Sequence, residues 1–167
     1  GYQSQAGVEV LSMPYFGREL EFVAMMPSAG TFAEFASALD ASEVATLTQS
    51  LPDATLDLRF PKLDLDTEVP LKEELQALGM TDAWTDATAN FEPMTAGKIW
   101  LGEAFHQTKL VLDEQGTEAA AATAFVGIDE SAPPEPVVVT FDRPFVFMIR
   151  DIETQAVLFV GHFANPE

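Results

Sequence analysis

His106 and His162 are the only two imidazoles in the chain, and there is no cysteine. Cysteine nucleophiles, disulfide scaffolds and thiolate zinc sites are therefore excluded. The sequence contains no Gly-x-Ser-x-Gly elbow, no His-Glu-x-x-His pair, no glycine-rich phosphate loop and no zinc-ligand spacing. Asp64, Asp66 and Glu68 begin like a calcium loop, but Val69 stands where its glycine belongs and Leu75 where its closing glutamate belongs. Acids that alternate in this way line the wet face of a strand. No metal or cofactor is expected, and the chain does not read as an enzyme.

Net charge narrows the partners. Eight Lys and Arg oppose 27 Asp and Glu, which gives −19 and a pI near 4.1. Such a surface repels phosphate backbones and anionic membranes, so no nucleic acid and no membrane insertion are expected. It fits a solvated acidic exterior, a basic partner or a salty medium. The 167 residues suit one domain, and 47% of them are hydrophobic, so composition does not point to disorder. No apolar run approaches the ~18 residues of a membrane helix.

The elements that must carry any site follow from periodicity. Residues 7 to 26 read as two strands around a turn at Pro14–Gly17. Thr31 with Glu34, then Asp40 with Glu43, form two capping boxes ahead of short helices. From Leu56 to Asp66 apolar and polar residues alternate as one strand, with a slip at Pro61-Lys62. Pro70 is expected to open a helix with Leu71, Leu75 and Leu78 on one face and Gly79 as its stop. Residues 81 to 96 read as loop anchored by Trp84 and Phe91, and residues 99 to 112 as strand. Both tryptophans, Trp84 and Trp100, and the phenylalanines are expected in the core. Residues 137–149 and 156–163 read as a buried antiparallel hairpin across a polar turn at Arg150–Gln155.

Residues 117–125 are alanine-rich and, on propensity alone, helical. They lack a stripe of large apolar residues to hold such a helix down, and a proline-rich acidic stretch follows them. Glu114-Gln-Gly-Thr-Glu-Ala-Ala-Ala-Ala-Thr123 resembles the reactive-loop hinge of the serpins, the serine protease inhibitor superfamily. Val139-Thr-Phe-Asp-Arg-Pro-Phe-Val-Phe-Met-Ile149 resembles the serpin signature, and Leu158 to Pro166 the family's last strand and tail. Leu58–Leu63 and Leu71–Met80 resemble the strand and helix that precede the loop. The order and spacing of these segments agree with the family, over essentially the whole chain.

The resemblance implies an α+β fold of mainly antiparallel sheets with a few short helices and a long exposed loop. It covers only the C-terminal part of a serpin domain, with the reactive loop at about 114–136 and the C-terminal hairpin at about 137–163. The family's N-terminal half is not matched, and it is an implied partner of this chain. The implied activity is suicide inhibition: a serine protease cuts the loop, which then inserts as a new strand in a large sheet. An inserted strand alternates its faces. If Thr117 points inward, so do Ala119, Ala121 and Thr123, all small or uncharged, while Glu118 faces solvent. Ala120 and Ala122 complete the stretch, and Gly116 supplies a flexible hinge after Glu114.

Family spacing places the reactive bond at Glu130-Ser131, with Ile128-Asp129 and Asp129-Glu130 as neighbouring alternatives. A glutamate before the bond implies an elastase-like or glutamate-cleaving protease. Lys62 and Glu114 match a gate-like ion pair at the top of the sheet, and His106 matches a histidine where the sheet parts. An inhibitor of this kind is expected outside the cell or at its surface. The alternatives are a non-inhibitory serpin-fold binding module and an inert truncated remnant.

Overall fold

A computed structural model describes residues 1–95, 97–113 and 135–166. In chain order its elements are β1 (Tyr2–Gln5), β2 (Val8–Pro14), β3 (Leu20–Pro27), α1 (Phe32–Ala38), α2 (Ala41–Thr48), β4 (Leu56–Arg59), β5 (Leu63–Pro70), α3 (Lys72–Ala77), a 3-10 turn (Asp82–Trp84), β6 (Phe105–Leu112), β7 (Val137–Thr140), β8 (Phe145–Asp151) and β9 (Val157–Phe163). The chain divides into two compact units, Gly1–Lys62 with Leu112–Glu167, and Leu63–Val111.

The first unit is built on a five-stranded sheet in the order β1-β2-β3-β8-β9, every neighbouring pair antiparallel. Side chains alternate across it. On one face Val8, Val10, Val23, Met25, Val146 and Met148 form a buried cluster with Leu47, covered by Phe32, Phe35 and Leu39 around α1 and by Val44 and Leu51 around α2. The other face carries aromatic rings. Phe145, fully buried, lies 5.1 Å from Phe60, 5.4 Å from Phe141 and 5.7 Å from Phe163, centroid to centroid. Phe22 stacks on Phe147 at 5.8 Å and meets Phe60 edge-on at 5.7 Å. Such tilted and edge-on pairs suit the quadrupoles of the rings.

Gly161 makes the last strand fit. A Cβ there would lie 2.7 Å from Cζ of Phe147, a ring already held by Phe22 and Phe145. Gly161→Ala is expected to destabilise the protein by about 1–3 kcal/mol through overpacking. The check is the midpoint of urea unfolding; an unchanged midpoint would show that the ring yields freely.

One polar network closes the helix-covered face. Arg150 of β8 donates from Nε to Glu21 of β3 at 2.7 Å and from a terminal nitrogen to the Thr48 hydroxyl of α2 at 2.8 Å. Ser12 of β2 donates to the second Glu21 oxygen, and Thr48 donates onward to the Val44 carbonyl. Arg150 and Glu21 are both buried, and three strands and a helix meet on this one ion pair. Near the sheet's edge the Tyr2 hydroxyl donates to Glu9, whose other oxygen accepts from Ser4. Partial burial, with the Glu9 carboxylate beside it, pushes the Tyr2 phenol up to about 12.

Several expectations need correction. The alternation from Leu56 to Asp66 is two strands, not one. β4 pairs in parallel with β7, and β5 pairs with β6 in a separate sheet. Pro61 lacks the N–H a continuous ladder would need. Residues 137–149 likewise divide, because Pro144 interrupts the run; only β8 forms the hairpin with β9. Arg150 lies within β8, not in a turn. Pro70 ends β5, and Leu71 holds the N-cap position of α3 with no side-chain cap.

Strand structure begins at Phe105 rather than Ile99. The Thr31 side chain donates back to Ser28 O and caps nothing, whereas Asp40 accepts from the Glu43 amide at 2.8 Å as expected. Trp84 is buried, but Trp100, Phe16 and Phe105 are exposed. β1 has no apolar alternation to announce it; Ala6 and Gly7, both at positive φ, form the two-residue turn that folds it onto β2.

Candidate functional site

The second unit holds β5, α3, the 3-10 turn and most of β6. β6 leads directly toward Glu114, the first residue of the hinge motif. Its C-terminal half alternates cleanly: Leu110 and Leu112 are buried, while Lys109 and Val111 face solvent. Among the described residues β6 pairs only with β5. Its other edge is therefore open there to a further strand.

Helix α3 braces the approach to β6. The Leu71 amide donates to Ala104 O at 2.8 Å, and the Leu101 amide to Ala83 O at 2.9 Å. The Lys72 ammonium donates to Gly102 O at 2.7 Å, reaches Glu103 at 3.4 Å and stands 5.7 Å from the centre of the Trp84 ring. Trp84 is itself held by its indole N–H, which donates to Met80 O. Gly79, at φ +101, ends the helix as its position predicts: the Met80 amide bonds back to Leu75 O and the Gly79 amide to Gln76 O.

The hinge residues Glu114, Gly116, Thr117, Ala119, Ala120, Ala121, Ala122 and Thr123 lie outside the described residues, and so do Glu130 and Ser131. Lys62 sits between β4 and β5 and is engaged in an interaction, but its expected gate partner Glu114 is not described. His106 is exposed on β6, with Nε2 2.9 Å from the Thr108 hydroxyl on the same side of the strand. His162 lies on β9, its ring 5.8 Å from that of Phe32.

Sequence reasoning missed Lys72 and Arg150. Their partners lie 30 and 129 residues away in sequence, respectively, at Gly102 and Glu21, so no local pattern marks them. At the β8–β9 turn the Asp151 carboxylate accepts from the Thr154 hydroxyl and amide. These bonds, the hydroxyl first, hold it below its ordinary value.

The parallel β4–β7 pair, the five-stranded antiparallel sheet and β6, open along one edge among the described residues and followed in sequence by an alanine-rich segment, define a serpin-like architecture. Comparison agrees. The family profile for serpin, serine protease inhibitor, matches residues 1–166. The chain belongs to the serpin family. It is 35% identical over 170 residues to Serpin B8 of Bos taurus, covering 99% of this chain and 45% of that protein. The native-state crystal structure of Tengpin, a thermophilic serpin, superposes with a TM-score of 0.76 at 26% identity, over 98% of this chain and 43% of that one. Thyroxine-binding globulin in complex with thyroxine shares the fold at a TM-score of 0.77 and 24% identity, over 99% of this chain and 44% of that one. The chain thus spans less than half the length of the curated relatives it matches. No helix among the described residues is long and apolar enough to cross a membrane.

Proposed function

We propose that this chain is the C-terminal portion of an inhibitory serpin that acts as a suicide substrate. The observation that carries this is β6, open along one edge among the described residues and followed directly in sequence by a small-residue hinge. A segment that leaves the end of β6 and folds back can pair with it antiparallel. Thr117, Ala119, Ala121 and Thr123 would then fill the covered face without burying a charge, which elsewhere costs several kcal/mol.

The target protease supplies the chemistry. Its serine oxygen bonds to the Glu130 carbonyl carbon, the Glu130–Ser131 amide bond breaks, and the protease histidine passes the proton to the leaving Ser131 amine. Insertion of the cut loop then strands the protease as an ester before water can release it. Glu130 favours an elastase-like or glutamate-cleaving serine protease, met outside the cell or at its surface. Lys62 and Glu114 act as a gate pair, and His106 lies where the sheet opens.

The second neighbouring strand for the loop comes from the family's N-terminal half. The outer edge of β9, with Val157, Leu158, Phe159 and Val160 all exposed, fits cover by the same half. The isolated chain is accordingly expected not to trap a protease; rapid covalent trapping by it alone would end that view.

The test is denaturing intact-mass analysis of the parent protein with an elastase-like and a glutamate-cleaving protease. A species equal to inhibitor plus protease minus the released C-terminal peptide supports the proposal, and the peptide's mass fixes the cut bond. Cleavage with no adduct from either protease overturns it in favour of a non-inhibitory binding module.

A further inference from the structure

Lys72 stands out among the described cations of the second unit. Lys98 makes a single exposed bridge to Asp86 at 2.9 Å, whereas Lys72 engages three segments at once. Its backbone lies in the first turn of α3, its ammonium is held by Gly102 O and Glu103, and it stands over the Trp84 ring. Gly102 and Glu103 lie just before β6, with only Ala104 between. Two backbone hydrogen bonds, Leu71 to Ala104 and Leu101 to Ala83, tie the same stretch to α3 and to the 3-10 turn. The segment before β6 has no regular structure of its own, and Gly102 gives it no side chain with which to anchor itself. The Lys72 side chain is about two-thirds covered, so its contacts are shielded from water more than those of an open surface pair.

We propose that Lys72 is a positioning residue that pins the start of β6, and so sets how often a cut loop completes its pairing with that strand before the protease escapes. This rests on the inhibitory function proposed above. A strand that accepts a new neighbour must hold its own position while the ladder forms, since a slip of one residue reverses every side chain. Lys72 fixes the end of β6 remote from the hinge. Its loss leaves cutting untouched, because no residue it contacts belongs to the reactive bond. What changes is the share of cut molecules that end as covalent adduct.

The experiment compares the full-length inhibitor with its Lys72→Met and Lys72→Arg variants. Methionine keeps an apolar stem and removes the donor; arginine keeps the charge, the donors and a planar group to stack on Trp84. Intact mass gives the ratio of adduct to released cleaved inhibitor, and hydrogen exchange reports the amides of residues 101–108. In Lys72→Met the adduct ratio is expected to fall about threefold, a size that suits the loss of partly exposed charge contacts. Exchange at 101–108 should quicken while the rate of loop cleavage stays the same, and Lys72→Arg should restore both. An unchanged ratio beside a normal wild-type adduct overturns this inference alone. A lowered ratio with unchanged exchange at 101–108 also overturns it, since the effect then arises elsewhere. A wild type that is cleaved without adduct overturns the inhibitory function and this inference with it.

Discussion

Arg150→Met is expected to lower the unfolding free energy by about 3–5 kcal/mol, as removing one member of a buried ion pair does. Glu21 would keep the Ser12 hydrogen bond but lose the guanidinium at 2.7 Å. A buried carboxylate would then lack its counter-charge. The Thr48 hydroxyl loses less, since it still donates to Val44 O at 2.8 Å. The double variant Glu21→Leu with Arg150→Met removes both charges and should recover most of the loss, because an apolar pair of similar volume is often as stable as a buried ion pair. Denaturant unfolding of wild type, both single variants and the double variant closes the cycle. If the double variant is as unstable as the sum of the singles, the two side chains act independently and the network described here is not a unit.

Phe145→Ala is expected to destabilise by a similar amount, about 3–5 kcal/mol, through lost transfer energy and the cavity left behind. Four rings surround Phe145: Phe60, Phe141, Phe147 and Phe163. They come from two strands and two connecting segments, so no single side chain can move in to fill the gap. Phe145→Leu keeps part of the volume and should cost less than half as much. Equal losses for alanine and leucine would mean that ring geometry, rather than filled space, holds this layer. Thermal unfolding followed by near-UV circular dichroism reports the aromatic packing directly.

Much of this architecture could be read from the sequence because its signals are local. Asp40 followed by Glu43 marks the start of α2, and Gly79 marks the end of α3, through groups within a few residues of each other. The strands β2 and β3 are plain in their hydrophobicity, and the family signature spans β7 and β8. Two prolines misled the strand boundaries. Alternation resumes after the slip at Pro61-Lys62, and the apolar run from Val137 continues past Pro144, although neither ladder does, so one stretch of sequence serves two different sheets. Exposure of Trp100 and Phe105 was also not legible, since side-chain size predicts burial only where neighbouring elements exist to provide it. The hinge was legible as composition and resemblance. Lys72 was not, because its importance depends on contacts with residues some thirty positions later.

The strand order has a consequence for synthesis. β3 sits at the centre of the five-stranded sheet, yet one of its two neighbours is β8, which pairs Met25 with Val146. While the chain emerges from the ribosome, β1, β2 and β3 can form a meander early, but the far edge of β3 stays bare until β8 has been made. Closing so distant a pairing is slow, since loop entropy must be overcome before any contact repays it. During that interval Phe22 and Val23, buried at the end, face water on a strand with an open ladder. A nascent chain of this design stays longest in an aggregation-prone state at its own centre, and chaperones that shield apolar strand edges would act on it there.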